Sequence, residues 1–306
     1  MVFFISLSKM LVILCGIGAG YLANRLGIMG GETDQKFTKL VLTITLPAMT
    51  VGAVATSEEL PGTKTLLGIL LVSVVYYALV FLAAAVIPPL LGGTAGQRGV
   101  WRFALCFANV GFIGIPVSTL FFGDGAMIYA VILMLPFNLL SYSFGTRMLT
   151  GGGGDFSWKR LLLSPCVVAS VIALALTLAR IRPPALVGEC LAFVGDITVP
   201  MSLLIIGSML AGLPVGQVFT SARLWILTAI RLVGLPLALY LLLRLIGTEQ
   251  IVLQVAVIQM AMPVAANGTM LSLEYGGDTQ CMAQATFLST LLALVTVPLL
   301  ASMILL

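Results

Sequence analysis

The stretch Phe107-Ala-Asn-Val-Gly-Phe-Ile-Gly-Ile-Pro-Val117 places an Asn, two Gly and a Pro inside an apolar run long enough to span a bilayer. A second stretch, Met260-Ala-Met-Pro-Val-Ala-Ala-Asn-Gly-Thr-Met270, places an Asn, a Gly and a Pro in the middle of another such run. Backbone groups freed in lipid are costly, so such interruptions persist only where they line a cavity or meet another broken helix. The two stretches therefore predict a pair of broken helices.

The composition is that of a polytopic membrane protein. Of the 306 residues, 60% are hydrophobic and 8% are charged, and the mean hydropathy is +1.16, whereas about a quarter of the residues in soluble domains are charged. The net charge is +4, but the basic residues lie at the ends of apolar segments, where they set topology, so we predict no nucleic-acid partner. The five cysteines lack CxxC spacing and the chain has no histidine, so we predict no metal site.

Apolar segments of membrane length recur along the whole chain. A span needs about 20 residues, and this length predicts ten spans: 4–25, 37–56, 65–91, 100–121, 126–148, 159–179, 186–212, 222–246, 250–273 and 280–304. A glycine-rich segment, 150–158, separates residues 1–149 from residues 159–306. We predict an all-α membrane protein of two five-helix halves joined by a flexible linker.

The two halves resemble each other at an offset of 153 residues. This offset places Leu46-Pro47-Ala48-Met49 on Val199-Pro200-Met201-Ser202, and it brings the two interruptions to the same depth with their residues permuted. Because each half has an odd number of spans, the second half would be inverted relative to the first. Chance similarity between Gly- and Pro-rich apolar stretches is the alternative explanation.

Lysine and arginine residues are unevenly distributed between alternate loops. Nine lie in one set of loops and five in the other, and the richer set is expected to be cytoplasmic. This bias predicts that both termini are periplasmic and that the glycine-rich linker is cytoplasmic.

Paired interruptions in corresponding halves are typical of a transporter's binding site. Asn109 and Asn267 are the first candidate ligands, because an amide supplies donors and acceptors where helix ends already present free N–H and C=O groups. Helix N-termini that point into one cavity would favour an anion. Gly111 and Gly114 would let a ligand approach the backbone. Alternatively, each Asn only satisfies its own broken backbone.

Four further residues are candidates. Pro116 and Pro263 are expected to shape the crossing, since each removes an N–H and kinks its helix. Asp196 and Arg231 are charged residues that lie well inside predicted spans and at similar depth. One interpretation is that Arg231 neutralises the charge of the substrate and Asp196 is a protonatable switch. The alternative is that the two residues form a structural ion pair.

Three motifs together resemble the auxin efflux carrier family, most closely its bacterial members: Asn109-Val-Gly-Phe-Ile-Gly-Ile-Pro116, Gly195-Asp-Ile-Thr-Val-Pro200 and Pro263-Val-Ala-Ala-Asn267. The resemblance implies ten helices in two inverted repeats, related to the bile acid/sodium symporters, with a transport domain that moves like an elevator. It also implies that the fourth and ninth helices cross at their breaks, beside the substrate, with Asn109, Pro116, Pro263 and Asn267 at the crossing. The chain lacks the long central loop of the plant auxin carriers, which makes auxin an unexpected substrate.

The predicted function is secondary transport of a small organic anion, such as malonate or malate, across a bacterial inner membrane. A coupling proton or sodium ion is left open, and a homodimer is one possible assembly. The alternatives are a membrane-embedded sensor that binds without transport and an intramembrane enzyme. No catalytic motif is present, so we predict neither an enzyme nor a cofactor.

Overall fold

The computed structural model describes residues 2–57, 60, 62–123, 125–151, 163–212, 219 and 221–304. These residues are predominantly helical and include no β-strand, which confirms the prediction of an all-α fold. Most of the predicted linker, 150–158, lies outside the described residues.

The described residues form twelve helical segments, which we number in chain order. They are α1 (Val2–Arg25), α2 (Gly31–Thr56), α3 (Thr63–Leu91), α4 (Ala95–Cys106), α5 (Val110–Phe122), α6 (126–149), α7 (Pro165–Ala179), α8 (Ala185–Ala211), α9 (Ala222–Ile246), α10 (Gln250–Ala261), α11 (Asn267–Tyr275) and α12 (Thr279–Ile304). Within the described residues, five of them are long and apolar enough to cross a membrane: α2, α3, α8, α9 and α12.

Three prolines are each preceded by a π-helical turn. The turns Val41–Thr45, Val110–Gly114 and Ile230–Gly234 end two residues before Pro47, Pro116 and Pro236 respectively. A proline has no N–H to offer the carbonyl four residues earlier, and in all three helices that carbonyl belongs to the π turn. At each of these kinks the helix forms a wider π turn. An example is the hydrogen bond that the N–H of Ile115 donates to the carbonyl of Val110, five residues earlier.

Helices α1 and α8 pack with their backbones in contact. A Cβ at Gly20 would overlap the carbonyl oxygen of Leu204, and a Cβ at Gly207 would overlap that of Ile17. Small residues spaced four apart, such as Gly16 and Gly20, allow this close approach between membrane helices. The contact fixes α1 against the second half of α8.

The helices form two packed groups. In the first group α1 packs on α8, and α2 packs on both α7 and α8. In the second group α3 packs on α4 and α10, α9 packs on α10, and α11 packs on α12. The groups meet where α12 contacts α1, α6 contacts α7, and the start of α5 contacts α8. The breaks between α4 and α5 and between α10 and α11 lie in the second group and face this junction.

Candidate functional site

The two interrupted helices cross at their breaks. The backbone N–H of Asn109 donates to the carbonyl of Pro263 at 2.7 Å, and the N–H of Ala265 donates to the carbonyl of Phe107 at 3.0 Å. These bonds form a single antiparallel bridge between Ala108 and Val264. Each break thereby supplies partners for backbone groups that the other break leaves free, as a low-dielectric interior requires.

Asn109 caps the N-terminus of α5 from within this crossing. Its Oδ1 accepts a hydrogen bond from the N–H of Phe112 at 3.2 Å, and the residue is only 4% exposed. This bond uses the amide oxygen and leaves the two N–H donors of Nδ2 for other partners. The capping role and a remaining pair of donors therefore coexist in one side chain.

Asn267 is the first residue of α11 and lies on the opposite side of the crossing. It is 8% exposed, and its Oδ1 has no hydrogen-bond partner among the described residues. Because α5 and α11 both begin at the crossing, the partial positive charges of two helix N-termini meet there. Two amides and two positive helix ends thus surround one buried point.

Two small cavities adjoin the crossing, and Asn109 and Ala266 line both. Cavity 1 has a volume of about 30 Å³ and lies against α2, α6 and α7, with Asn267 and Gly111 in its wall. Cavity 2 has a volume of about 40 Å³ and lies against α8 and α12, with Thr269, Thr286 and Thr290 in its wall. Each has room for one or two water molecules. The remaining residues that line cavity 1 include Leu42, Leu46, Phe112, Met134, Phe137, Tyr142, Cys166 and Ala265.

Three of the predicted site residues line neither cavity. Gly114 faces Gln259 on α10, and a Cβ there would overlap the Oε1 atom of that side chain. Pro116 lies in α5 after the π turn, and Pro263 contributes its carbonyl to the crossing. These residues shape the crossing and do not face the cavities.

Arg231 is fully buried behind the crossing and also lines neither cavity. Its Nη1 donates to the carbonyl of Leu105 in the last turn of α4 at 3.3 Å, while Nε and Nη2 have no partner among the described residues. Tyr76 of α3 lies close enough to interact with the guanidinium electrostatically. The cation therefore offsets the negative end of the α4 half-helix.

The sequence profile of a family described as "Membrane transport protein" matches residues 5–157 and 153–301. The chain belongs to the auxin efflux carrier family. This finding confirms the resemblance found in the motifs, and it makes the chain a multi-pass membrane protein of a family of transporters.

Two relatives align with almost the whole chain. An "Uncharacterized transporter" of Methanothermobacter thermautotrophicus is 24% identical over 98% of this chain and 98% of its own. A "Putative malonate transporter" of Rhizobium meliloti is 23% identical over 91% of this chain and 89% of its own.

The structure does not bring Asp196 and Arg231 together, so the predicted ion pair is wrong. Asp196 is exposed at the junction between the two halves of α8, whereas Arg231 is buried against Leu105. The reason is the rotation of α8. Gly195 packs directly on Met49 of α2, and the next residue, turned by about 100° around the helix axis, points away from that contact.

The sequence interpretation missed two polar groupings. The hydroxyls of Thr269 and Thr286 in cavity 2 have no partner among the described residues. Elsewhere, Asp34 is buried, and its carboxylate accepts from Ser208 Oγ at 2.7 Å and from the N–H of Gly30 at 3.0 Å. The predicted span 37–56 leaves Asp34 outside it, whereas α2 begins at Gly31 and includes this residue.

Proposed function

We propose that this member of the auxin efflux carrier family moves a small organic anion across the inner membrane, a mono- or dicarboxylate of the size of malonate or malate. One observation carries the proposal. Two half-helix N-termini converge on two cavities, both of which the amide of Asn109 lines, while the amide of Asn267 lines cavity 1. Positive helix ends and amide donors are the groups that a carboxylate needs in a dry site.

The charge distribution around the crossing also favours an anion. Arg231 contributes a permanent positive charge behind the crossing, and its Nη1 donates to a neutral carbonyl. Among the described residues that line the two cavities there is no carboxylate. Arg231 therefore attracts the substrate through the field at the site and not by direct contact. The relative described as a "Putative malonate transporter" supports a small carboxylate as the substrate.

We infer an elevator-type alternating-access mechanism built on two inverted five-helix repeats. Met134 and Phe137 of α6 line cavity 1, and the residues 153 positions later, Phe287 and Thr290 of α12, line cavity 2. The two packed groups of helices supply a scaffold of α1, α2, α7 and α8 and a second group that carries the crossing. The two stretches matched by the family profile meet at residues 153–157, which supports a division of the chain at the linker.

The small cavities fit a state in which the substrate site is closed. A volume of about 30 or 40 Å³ holds water but not a whole malonate. Movement of the crossing relative to α2 and α8, which form the outer walls of the cavities, would open the site. The proposal also includes an orientation in which both termini are periplasmic. It further assigns Asp196 a role in coupling transport to protons, so Asp196→Asn should flatten the pH dependence of uptake.

The test separates substrate binding from helix capping at Asn109. Asn109→Asp keeps an acceptor for the N–H of Phe112 but replaces two donors with a negative charge, so malonate counterflow in proteoliposomes should fall at least tenfold while the protein stays folded. Thr94→Ala is the control, because it removes the N-cap of α4 at a distance from both cavities and should cost about 1 kcal/mol of stability without changing affinity. Normal counterflow by Asn109→Asp would reduce Asn109 to a cap.

A further inference from the structure

Cavity 2 is lined by three threonine hydroxyls, two of which no helix backbone uses. Thr269 Oγ1 and Thr286 Oγ1 have no hydrogen-bond partner among the described residues, and Thr290 Oγ1 donates to the carbonyl of Thr286, which leaves its oxygen free to accept. Several other threonines of the chain behave differently. Thr50, Thr177 and Thr228 each donate to a carbonyl one turn earlier in their own helix, which is the usual arrangement in membrane helices.

Leaving a buried hydroxyl unpaired costs about 1–3 kcal/mol, so two of them in one cavity indicate an absent partner. A partner that accepts hydrogen bonds suits this space, because the hydroxyls of Thr269 and Thr286 and the amide of Asn109 all line it and can donate. The first turn of α11, with its partial positive charge, forms another wall through Ala266 and Thr269. A carboxylate meets these requirements, since it accepts several hydrogen bonds at once.

The geometry of α11 connects this group to cavity 1. Asn267 and Thr269 are two positions apart in the first turn, so their side chains diverge by about 200° around the helix axis. Accordingly Asn267 lines cavity 1 and Thr269 lines cavity 2, while Asn109 and Ala266 line both. The two cavities are therefore neighbouring spaces on opposite sides of one helix N-terminus.

We propose that cavity 2 is a second carboxylate subsite, and that the substrate is a short dicarboxylate whose two ends bind on either side of the first turn of α11. One carboxylate contacts Asn267 in cavity 1, and the other contacts Thr269 and Thr286 in cavity 2, with Asn109 between them. Each cavity has room for a carboxylate but not for the whole molecule, as a divided site requires. This inference rests on the proposed transport of an organic anion and narrows its substrate class.

The experiment compares a dicarboxylate with a monocarboxylate in the reconstituted full chain. Affinities for labelled malonate and acetate are measured by counterflow for the wild type, Thr286→Val and Thr269→Val, each of which replaces a hydroxyl with a methyl group of similar size. Loss of one hydrogen bond to a charged group should weaken malonate binding about 10- to 100-fold. Acetate affinity should change less than about threefold, because acetate can occupy cavity 1 alone, and Thr286→Ser should restore malonate binding.

Thr296→Val is the matched control. Thr296 also lies on α12 with a buried hydroxyl that has no partner among the described residues, but it lines neither cavity. Its substitution should leave both affinities unchanged. If the wild type transports malonate and all three valine variants bind malonate as tightly as the wild type does, the second subsite is overturned. A wild type that carries acetate but not malonate would also overturn it. A wild type that carries no carboxylate would instead overturn the proposed function.

Discussion

Replacing Arg231 should stabilise the protein while impairing transport. The guanidinium is fully buried, donates a hydrogen bond to the carbonyl of Leu105, and leaves the nitrogens Nε and Nη2 unpaired among the described residues. Arg231→Met forfeits a hydrogen bond worth about 1.5–3 kcal/mol and a favourable helix-end interaction of at most about 2 kcal/mol. The same substitution also relieves two unfavourable contributions. Each of the two unpaired donors costs about 1–3 kcal/mol, and burial of the charge itself costs several kcal/mol. We therefore expect the free energy of unfolding to rise by about 1–4 kcal/mol, with slower uptake.

Asp196→Asn completes the test, because the structure leaves this carboxylate exposed and far from any role in neutralising Arg231. Alone it should change stability by less than about 0.5 kcal/mol, and the two substitutions should add within about 0.5 kcal/mol. Thermal unfolding of the detergent-solubilised single and double variants measures these changes, and uptake by proteoliposomes measures transport. A loss of 3–5 kcal/mol in Arg231→Met, recovered in the double variant, would refute the reasoning and restore the ion pair.

Three other predictions concern the scaffold helices and the topology. Ser208→Ala should destabilise the protein by about 1.5–3 kcal/mol, because it removes a hydrogen-bond donor from the buried carboxylate of Asp34. Ser202→Ala is the control: it removes only a bond within the same helix and should cost less than about 1.5 kcal/mol in the same thermal assay. Gly20→Ala should disrupt the contact between α1 and α8, while Gly18→Ala, where a Cβ meets no atom within 4 Å, should stabilise α1 by up to about 1 kcal/mol; equal effects of the two would contradict the backbone contact. A cysteine introduced by Gly152→Cys should react in intact cells with membrane-permeant reagents only, and labelling by an impermeant maleimide would reverse the proposed orientation.

The broken helices could be predicted from the sequence because Asn, Gly and Pro are out of place in an apolar span. Backbone groups freed in lipid need hydrogen-bond partners. The second interrupted stretch could supply such partners to the first. The structure brings Asn109 and Asn267 to one cavity in agreement with this argument. The four-residue spacing of Gly16 and Gly20 is likewise typical of close helix packing, which α1 and α8 make.

The directions of side chains could not be predicted in the same way. A membrane helix is apolar on its lipid face and on its protein face, so hydrophobic periodicity does not identify the inward side. This is why Asp196 was placed inside, although it lies on the exposed side of α8. The partner of Arg231 is a backbone carbonyl at the end of a half-helix, and no side-chain pattern encodes such a partner. Thr269 and Thr286 were overlooked because most threonines in membrane helices bond to their own backbone.

The bridge between Ala108 and Val264 is made of main-chain atoms alone. Such a joint requires the right backbone path at each break but accepts many side chains there, provided that they fit. The stretches 107–117 and 260–270 can therefore carry different residues at equivalent depth, with Pro263 opposite Val110. If the two halves descend from one ancestral segment, their common origin is retained in the path of the chain at this point, while the side chains have been free to diverge.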